Sequence, residues 1–288
     1  MPALSAKHVL ILSERPPPTP NRPATGLSVR HTLMAEALVT SGFQVTFAWP
    51  DRDDSDPLPF DAPVSFETVA AADPDALAEW IDRRGPDSIV LGYWELKDWI
   101  PDRLAASLIL DYVAPRLLER QFEDRDRLSD DVPALVRLLA RCDQVWVGNP
   151  AQRHLMLPWM LLAGHDCRFD LPVRVVPIAG TIARNIDENI ARDGDGGPLT
   201  LFHGGRDWPW RDSSAWLDVL RRQPGPWRLD ALGEDGGLAG HGEYLARLRR
   251  ADLALELCDE NVERRYSQSF RMTDALCAGV PVICNDFL

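Results

Sequence analysis

Along the chain, short runs that are apolar almost throughout alternate with stretches whose apolar positions recur every three or four residues. "HVLILSE", "QVTFAWP", "DSIVLGYW", "SLILDYV", "QVWVGN" and "VRVVPIA" are each bounded by turn residues, as strands covered on both faces are. Between them lie "LSVRHTLMAEALVTSG", "PDALAEWIDRRG", "VPALVRLLARC" and "AQRHLMLPWMLLAG". In the first of these Leu27, Arg30, Leu33, Met34, Ala37 and Leu38 fall at helical spacing, and Gly42 supplies a C-cap. Alternating units of this length predict a parallel, doubly wound sheet.

The rhythm breaks at "RNIDENIARDGDGGP", which is polar, acidic and ends in glycines. This stretch predicts a linker or hinge over 184–198, between a first domain at 1–183 and a second at 199–288. A second series follows: strand "LTLFHGG", helix "SSAWLDVLRR", strand "WRLDALG", helix "GEYLARLRR" and strand "ADLALEL". A helix in "SQSFRMTDALCAG" and a last strand "VPVICN" close it. The fold class is α/β, with two Rossmann-like doubly wound parallel-sheet domains.

Composition narrows the function. The 288 residues suffice for two domains, and 45% hydrophobic with 26% charged residues is ordinary for a globular protein. A net charge of −13 repels phosphate backbones and anionic lipid, which argues against nucleic acid or a bare membrane surface as partner. Any anion must then be held locally, by backbone amides and a few placed arginines. The five cysteines (Cys142, Cys167, Cys258, Cys277, Cys284) are scattered and form no C-x-x-C pair, which points to a reducing, cytoplasmic setting without structural zinc. The run after Lys7 is too short for a secretory leader or a membrane span and reads as a first buried strand.

In open α/β sheets ligands sit at the carboxyl ends of strands, where loops enter helix N-termini. "FHGGRDWPWRDSS" leaves a strand through Gly204 and Gly205 and carries Arg206 and Arg211 beside Trp208 and Trp210. A glycine pair with arginines at a helix entrance suits a diphosphate clamp; a plain tight turn, with the tryptophans capping the core, suits the same residues. Further on, Ser267 or Ser269 can cap a helix whose free amides face an anion. Asp274, inside that helix, can accept two hydrogen bonds from a vicinal diol such as a ribose, and Glu263 lies in the lead-in. A solvated Glu263 and a polar helix face at Asp274 fit equally.

The segment "VERRYSQSFRMTDALCAGVPVI" resembles the donor site of bacterial family 4 glycosyltransferases, retaining enzymes of the GT-B fold, and within them a branch associated with cell-envelope polysaccharides. The match rests on Glu263, Arg265, Ser269, Phe270, Arg271, Asp274 and the run Ala278-Gly279-Val280-Pro281. "LTLFHGGRDWPWRD", "LILDYVAPRLLE" and "GLSVRHTLMAEALVTSGFQVTFAWP" are similar to further segments of that branch.

The resemblance implies two domains facing a cleft, the first receiving a glycan or glycolipid acceptor and the second holding a nucleotide sugar. It implies transfer of the sugar with retention and no cofactor or metal. Asp274 would bind the ribose, and Ser269, Phe270 and Arg271 would lie along the donor. Glu263 would face the sugar and phosphates, and Gly233 would let the nucleobase lie against backbone. Arg206 and Arg211 would neutralise the departing diphosphate, and Asp111 with Glu119 would stand on the cleft side. This chain departs from the branch at Ala114, where an aspartate is usual, and ends at Leu288. The expectation is therefore a second domain short at its C-terminal end, from truncation or reduction, with a longer chain or a partner chain completing it. A non-catalytic sugar-nucleotide-binding subunit and a nucleotide-sugar epimerase are the rival readings. Outside these motifs, His31 reads as a helix-surface histidine, "LMLPWMLLAG" as a core helix interrupted at Pro158 rather than a span, and "ERQFEDRDRLSDD" as a solvated face.

Overall fold

The computed structural model describes residues 7–21, 23–50, 64–69, 74–180, 197–233 and 239–287. The chain divides into two compact units. The first is Met1–Pro17, Gly26–Leu117 and Asp126–Pro177; the second is Pro18–Thr25, Leu118–Arg125 and Ile178–Leu288. The predicted linker lies almost entirely outside the described residues.

In the first unit the elements run β1 (His8–Leu12), α1 (Gly26–Thr40), β2 (Gln44–Pro50), β3 (Val64–Val69), α2 (Pro74–Arg84), β4 (Ser88–Leu91) and β5 (Ser107–Asp111). There follow α3 (Arg116–Glu123), most of which counts with the second unit, and then α4 (Leu128–Leu139), β6 (Gln144–Val147), α5 (Pro150–Leu162) and β7 (Val173–Val175). The sheet order is β3-β2-β1-β4-β5-β6-β7, and every pairing is parallel. All of β1 is buried because successive side chains feed two cores. Leu10 and Leu12 join Leu91, Leu110 and Val145 on one face. Val9 and Ile11 join Val45, Phe47 and Val90 on the other. Each fully buried aliphatic side chain is worth roughly 1.5–3 kcal/mol, so an apolar run without alternation is stable only where helices cover both faces.

Two elements escape the hydrophobic pattern. β3 carries Ser65, Glu67 and Thr68 and forms the sheet edge on β2. α3 occupies the start of the segment read as a solvated face. The expected break at Pro158 is corrected: α5 continues through it. Its inward stripe is Gln152, Met156 and Met160, and Pro158 lies on the exposed side, where water can satisfy the carbonyl that loses its N–H partner. Leu157, Leu161 and Leu162 are exposed as well, so α5 buries a stripe rather than its whole circumference. His31, expected at a helix surface, is fully buried.

The second unit holds β8 (Leu199–His203), α6 (Ser214–Arg222), β9 (Trp227–Ala231), α7 (His241–Arg250), β10 (Leu253–Glu256), α8 (Val262–Tyr266), α9 (Phe270–Cys277) and β11 (Val282–Cys284). Its parallel sheet has the order β11-β10-β8-β9. Phe202 and Ala254 face a core with Leu248, Ala275 and Val280, while Leu201 and Leu255 face Leu217. The chain winds from β8 outward to β9 and then returns past β8 to β10. The winding therefore reverses between β8 and β10, where a doubly wound sheet opens a crevice at its carboxyl edge. At the start of α7 the amide of Gly242 donates to the carbonyl of Pro20 (3.0 Å). A side chain at Gly240 or Gly242 would run into Pro20.

Candidate functional site at the second sheet

The loops after β8 and β10 meet at this reversal, and their sequences explain why. β8 ends at His203 and leaves through Gly204 and Gly205. A Cβ on Gly204 would stand 2.5 Å from the Phe202 ring and 2.9 Å from Tyr244. Gly205 has φ +90, and a Cβ there would come within 3.2 Å of Arg271 Nε. Glycine is thus required twice, once by packing and once by backbone hand.

Arg271, from the first turn of α9, lies across this turn. Its Nη2 donates to the carbonyl of Arg206 (2.9 Å), and Nη1 stands 3.4 Å from His203 Nε2. Asp207 Oδ1 is 3.6 Å from Arg271 Nη2, while Oδ2 accepts from Ser213 Oγ at 2.6 Å. Burial opposes ionisation of Asp207. His203, Ser213 and the charge of Arg271 outweigh it and hold the carboxyl well below the usual range. Arg206 itself is exposed, with its guanidinium over the Trp208 ring.

Behind this turn lies a buried ionic cluster. Glu256, the last residue of β10, is 2% exposed and takes an ion pair from Arg211 and one from Arg264 (3.2 Å). Burial raises the Glu256 pKa, but Arg211, Arg271 and Arg264 overcome this and bring it down to about 2. Burial, with the charge of Arg271, pulls Arg211 down to about 10. Arg211 also reaches Ser269 Oγ (3.1 Å). Its guanidinium therefore faces inward, and of the two arginines in the loop it is Arg206 that is exposed.

Asn261 caps α8 by accepting from the Arg264 amide (3.0 Å), and its Nδ2 donates to the carbonyl of Trp210 (2.8 Å). This ties the two loops together. The cap brings Glu263 inside: it is 1% exposed, and burial pushes its pKa up. Its Oε2 has no hydrogen-bond partner, with Arg264 Nη1 at 3.8 Å. A solvated Glu263 is thereby corrected. Ser269 rather than Ser267 caps α9, accepting from the Met272 amide at 3.3 Å. Phe270 opens the helix. Asp274 is 8% exposed, not on a polar face. Burial and then the Asp274 charge push the neighbouring Tyr244 phenol up. Gly233 follows β9 with φ +90.

Asp111 belongs to the first unit. It closes β5 and accepts from Arg30 Nε (2.8 Å) and Nη2 (2.9 Å), with His31 Nε2 at 3.2 Å. Burial opposes its ionisation, but His31 and Arg30 together keep its pKa low. His31 Nδ1 lies 3.2 Å from Ser13 Oγ. The expectation of a carboxylate open to a ligand is corrected for Asp111: its side chain is 0% exposed and both oxygens are occupied. Glu119 is 7% exposed. Among the described residues no group of three His, Cys, Asp or Glu is gathered as a metal ion requires, and no helix is long and apolar enough to cross a membrane.

His203, Asp207 and Glu256 were not singled out from sequence. Glu256 alone left a signal, an acid closing an otherwise apolar strand.

No family model and no curated protein sequence matches the chain. Solved structures do. Sucrose-phosphate synthase from Thermosynechococcus elongatus superposes with a TM-score of 0.67 at 14% identity, over 96% of this chain and 81% of that one. HepE from Anabaena, in complex with UDP and glucose, gives 0.59 at 12%, over 96% and 80%. An alpha-glucosyltransferase in complex with UDP gives 0.57 at 12%, over 97% and 80%. The fold is GT-B, with two Rossmann-like units.

Proposed function

We propose that this chain is a glycosyltransferase that takes a nucleotide-sugar donor at the crevice between β8 and β10. It passes the sugar, with retention, to a glycan or glycolipid acceptor in the cytoplasm, as the family 4 polysaccharide branch does. One observation carries the reading. At the reversal of winding, the half-buried Gly205 turn, with φ +90, is followed by the exposed Arg206 and overlaid by Arg271, and Asp274 stands on the helix that carries Arg271. Structures of the same fold hold UDP, among them HepE and the alpha-glucosyltransferase.

The chemistry asks chiefly for stabilisation of a leaving diphosphate. In a chain of net charge −13 that charge must be met at short range, and here two guanidinium groups flank one glycine turn. Arg211 contributes indirectly, by holding Glu256 and the Ser269 cap in place. Asp274 accepts from the ribose hydroxyls, and Gly233 leaves backbone room for the base. Glu263, expected to face the sugar, is buried with Arg264 Nη1 3.8 Å from its Oε2.

A calorimetric panel of UDP, GDP, ADP and dTDP tests the binding step, and donor turnover tests the chemistry. One nucleotide should bind, and Arg271→Ala should weaken it at least tenfold. A wild type that binds none of the four refutes the reading. The occupied Asp111 favours a second reading, a non-catalytic sugar-nucleotide-binding subunit. Binding with no turnover of any donor selects it.

A further inference from the structure

Arg206 does not hang free in solvent. Its Cζ lies 4.5 Å from the centroid of the Trp208 ring, and Trp208 stacks on Trp210 with centroids 5.2 Å apart and planes 12° from parallel. Trp210 is the anchor: it is 7% exposed, against 37% for Trp208, and its carbonyl is held by Asn261. The backbone of Trp208 is fixed too, its carbonyl accepting from the Arg211 amide at 2.7 Å. The carbonyl of Arg206 accepts from Arg271. Both ends of the segment are therefore pinned.

The acids nearby are already committed. Asp207 is engaged by Ser213 and lies beside Arg271, and Glu256 holds Arg211 and Arg264. Among the described residues Arg206 makes no ion pair with a carboxylate. In so acidic a chain, an arginine that pairs with none of the described acids and is laid on an aromatic face has its donors reserved for something else.

We propose that Trp208 is a positioning residue, which holds the Arg206 guanidinium in the orientation that receives the donor's diphosphate. This rests on the function proposed above. An exposed arginine loses rotamer freedom when it grips an anion, and stacking it beforehand removes part of that loss before the ligand arrives. A cation over an indole at an exposed site corresponds to about a two- to fivefold gain in affinity.

The test uses the full chain, the nucleoside diphosphate that binds among UDP, GDP, ADP and dTDP, and its parent nucleoside measured by competition. Trp208→Ala should weaken the diphosphate about two- to fivefold and leave the nucleoside unchanged. Trp208→Phe should recover most of the loss. In an Arg206→Ala background, Trp208→Ala should cost nothing more, a non-additivity that a merely structural role would not show. Thermal melts establish that each variant is folded. Equal weakening of nucleoside and diphosphate overturns the proposal, since Trp208 would then hold the base. Additive losses in the double variant, or a diphosphate advantage that Arg206→Ala removes and Trp208→Ala does not, overturn it while leaving the functional reading standing. A wild type that binds nucleoside and diphosphate equally well refutes both.

Discussion

Glu256→Gln changes one charge and almost no volume, yet it should be among the most damaging single substitutions in the second unit. The carboxylate is bound by Arg211 and Arg264 at 2% exposure. Its pKa falls from 4.5 to about 2, a preference for the charged form worth roughly 3 kcal/mol. Burial and then the charge of Arg271 pull Arg211 down to about 10 even with Glu256 beside it. Such a buried ion pair usually nets close to zero. Breaking it does not. With Gln at 256 the penalties on Arg211 and Arg264 remain and their counter-charge is gone, an expected loss of about 3–5 kcal/mol against a typical total of roughly 5–15 kcal/mol.

Urea denaturation at pH 7, followed by circular dichroism, measures this. The double variant Arg211→Met/Glu256→Gln should be more stable than Glu256→Gln alone, because it removes a penalised cation together with its partner. The acid limb gives an independent check. A carboxyl whose pKa is depressed on folding stabilises above its unfolded value, and that contribution disappears as pH falls through the folded value. Between pH 4.5 and about 2 the wild type should therefore lose stability steeply, and Glu256→Gln should lack that part of the slope. A Glu256→Gln loss below about 1 kcal/mol, or a double variant equal to the sum of its singles, would refute the reasoning.

Asp274→Ala should weaken the bound nucleotide by roughly 1.5–3 kcal/mol. Calorimetry with ribo- and 2′-deoxyribonucleotide should show the variant no longer distinguishing them; a preserved preference removes Asp274 from the ribose. Gly205→Ala forces a side chain onto φ +90 and against Arg271. It should cost about 1–2 kcal/mol of stability and weaken the diphosphate more than the nucleoside. An unshifted melt and unshifted affinities would show that the turn relaxes freely.

The alternation of apolar runs and helical spacing was legible because each buried strand in a doubly wound sheet announces itself locally. β3 did not, since an edge strand with one covered face needs few apolar residues and carries Glu67. The glycine pair and the cap at Ser269 were legible for the same local reason. What the sequence concealed is the ionic wiring. Arg211 and Glu256, or Arg30 and Asp111, are far apart in the chain, and nothing in "RDSS" or "LILDY" states which charge each will meet. For that reason no sign in the sequence told that Arg211 would meet Glu256, or that Arg30 and His31 would occupy Asp111. Glu263 shows the converse: in the lead-in to a helix an acid reads as solvated, until Asn261 turns it inward.

The bond from Gly242 to Pro20 has a consequence for how this protein can be cut and made. The second unit is discontinuous in sequence: a strip at Pro18–Thr25 supplies a carbonyl to a helix made more than two hundred residues later. A fragment beginning at Ile178 would carry every strand of the second sheet and still lack that carbonyl, leaving the first turn of α7 bare. During synthesis the strip must wait, unpaired, until α7 emerges. That contact can therefore form only once α7 has been made, and a nick in the proline-rich loop would damage an element more than two hundred residues away.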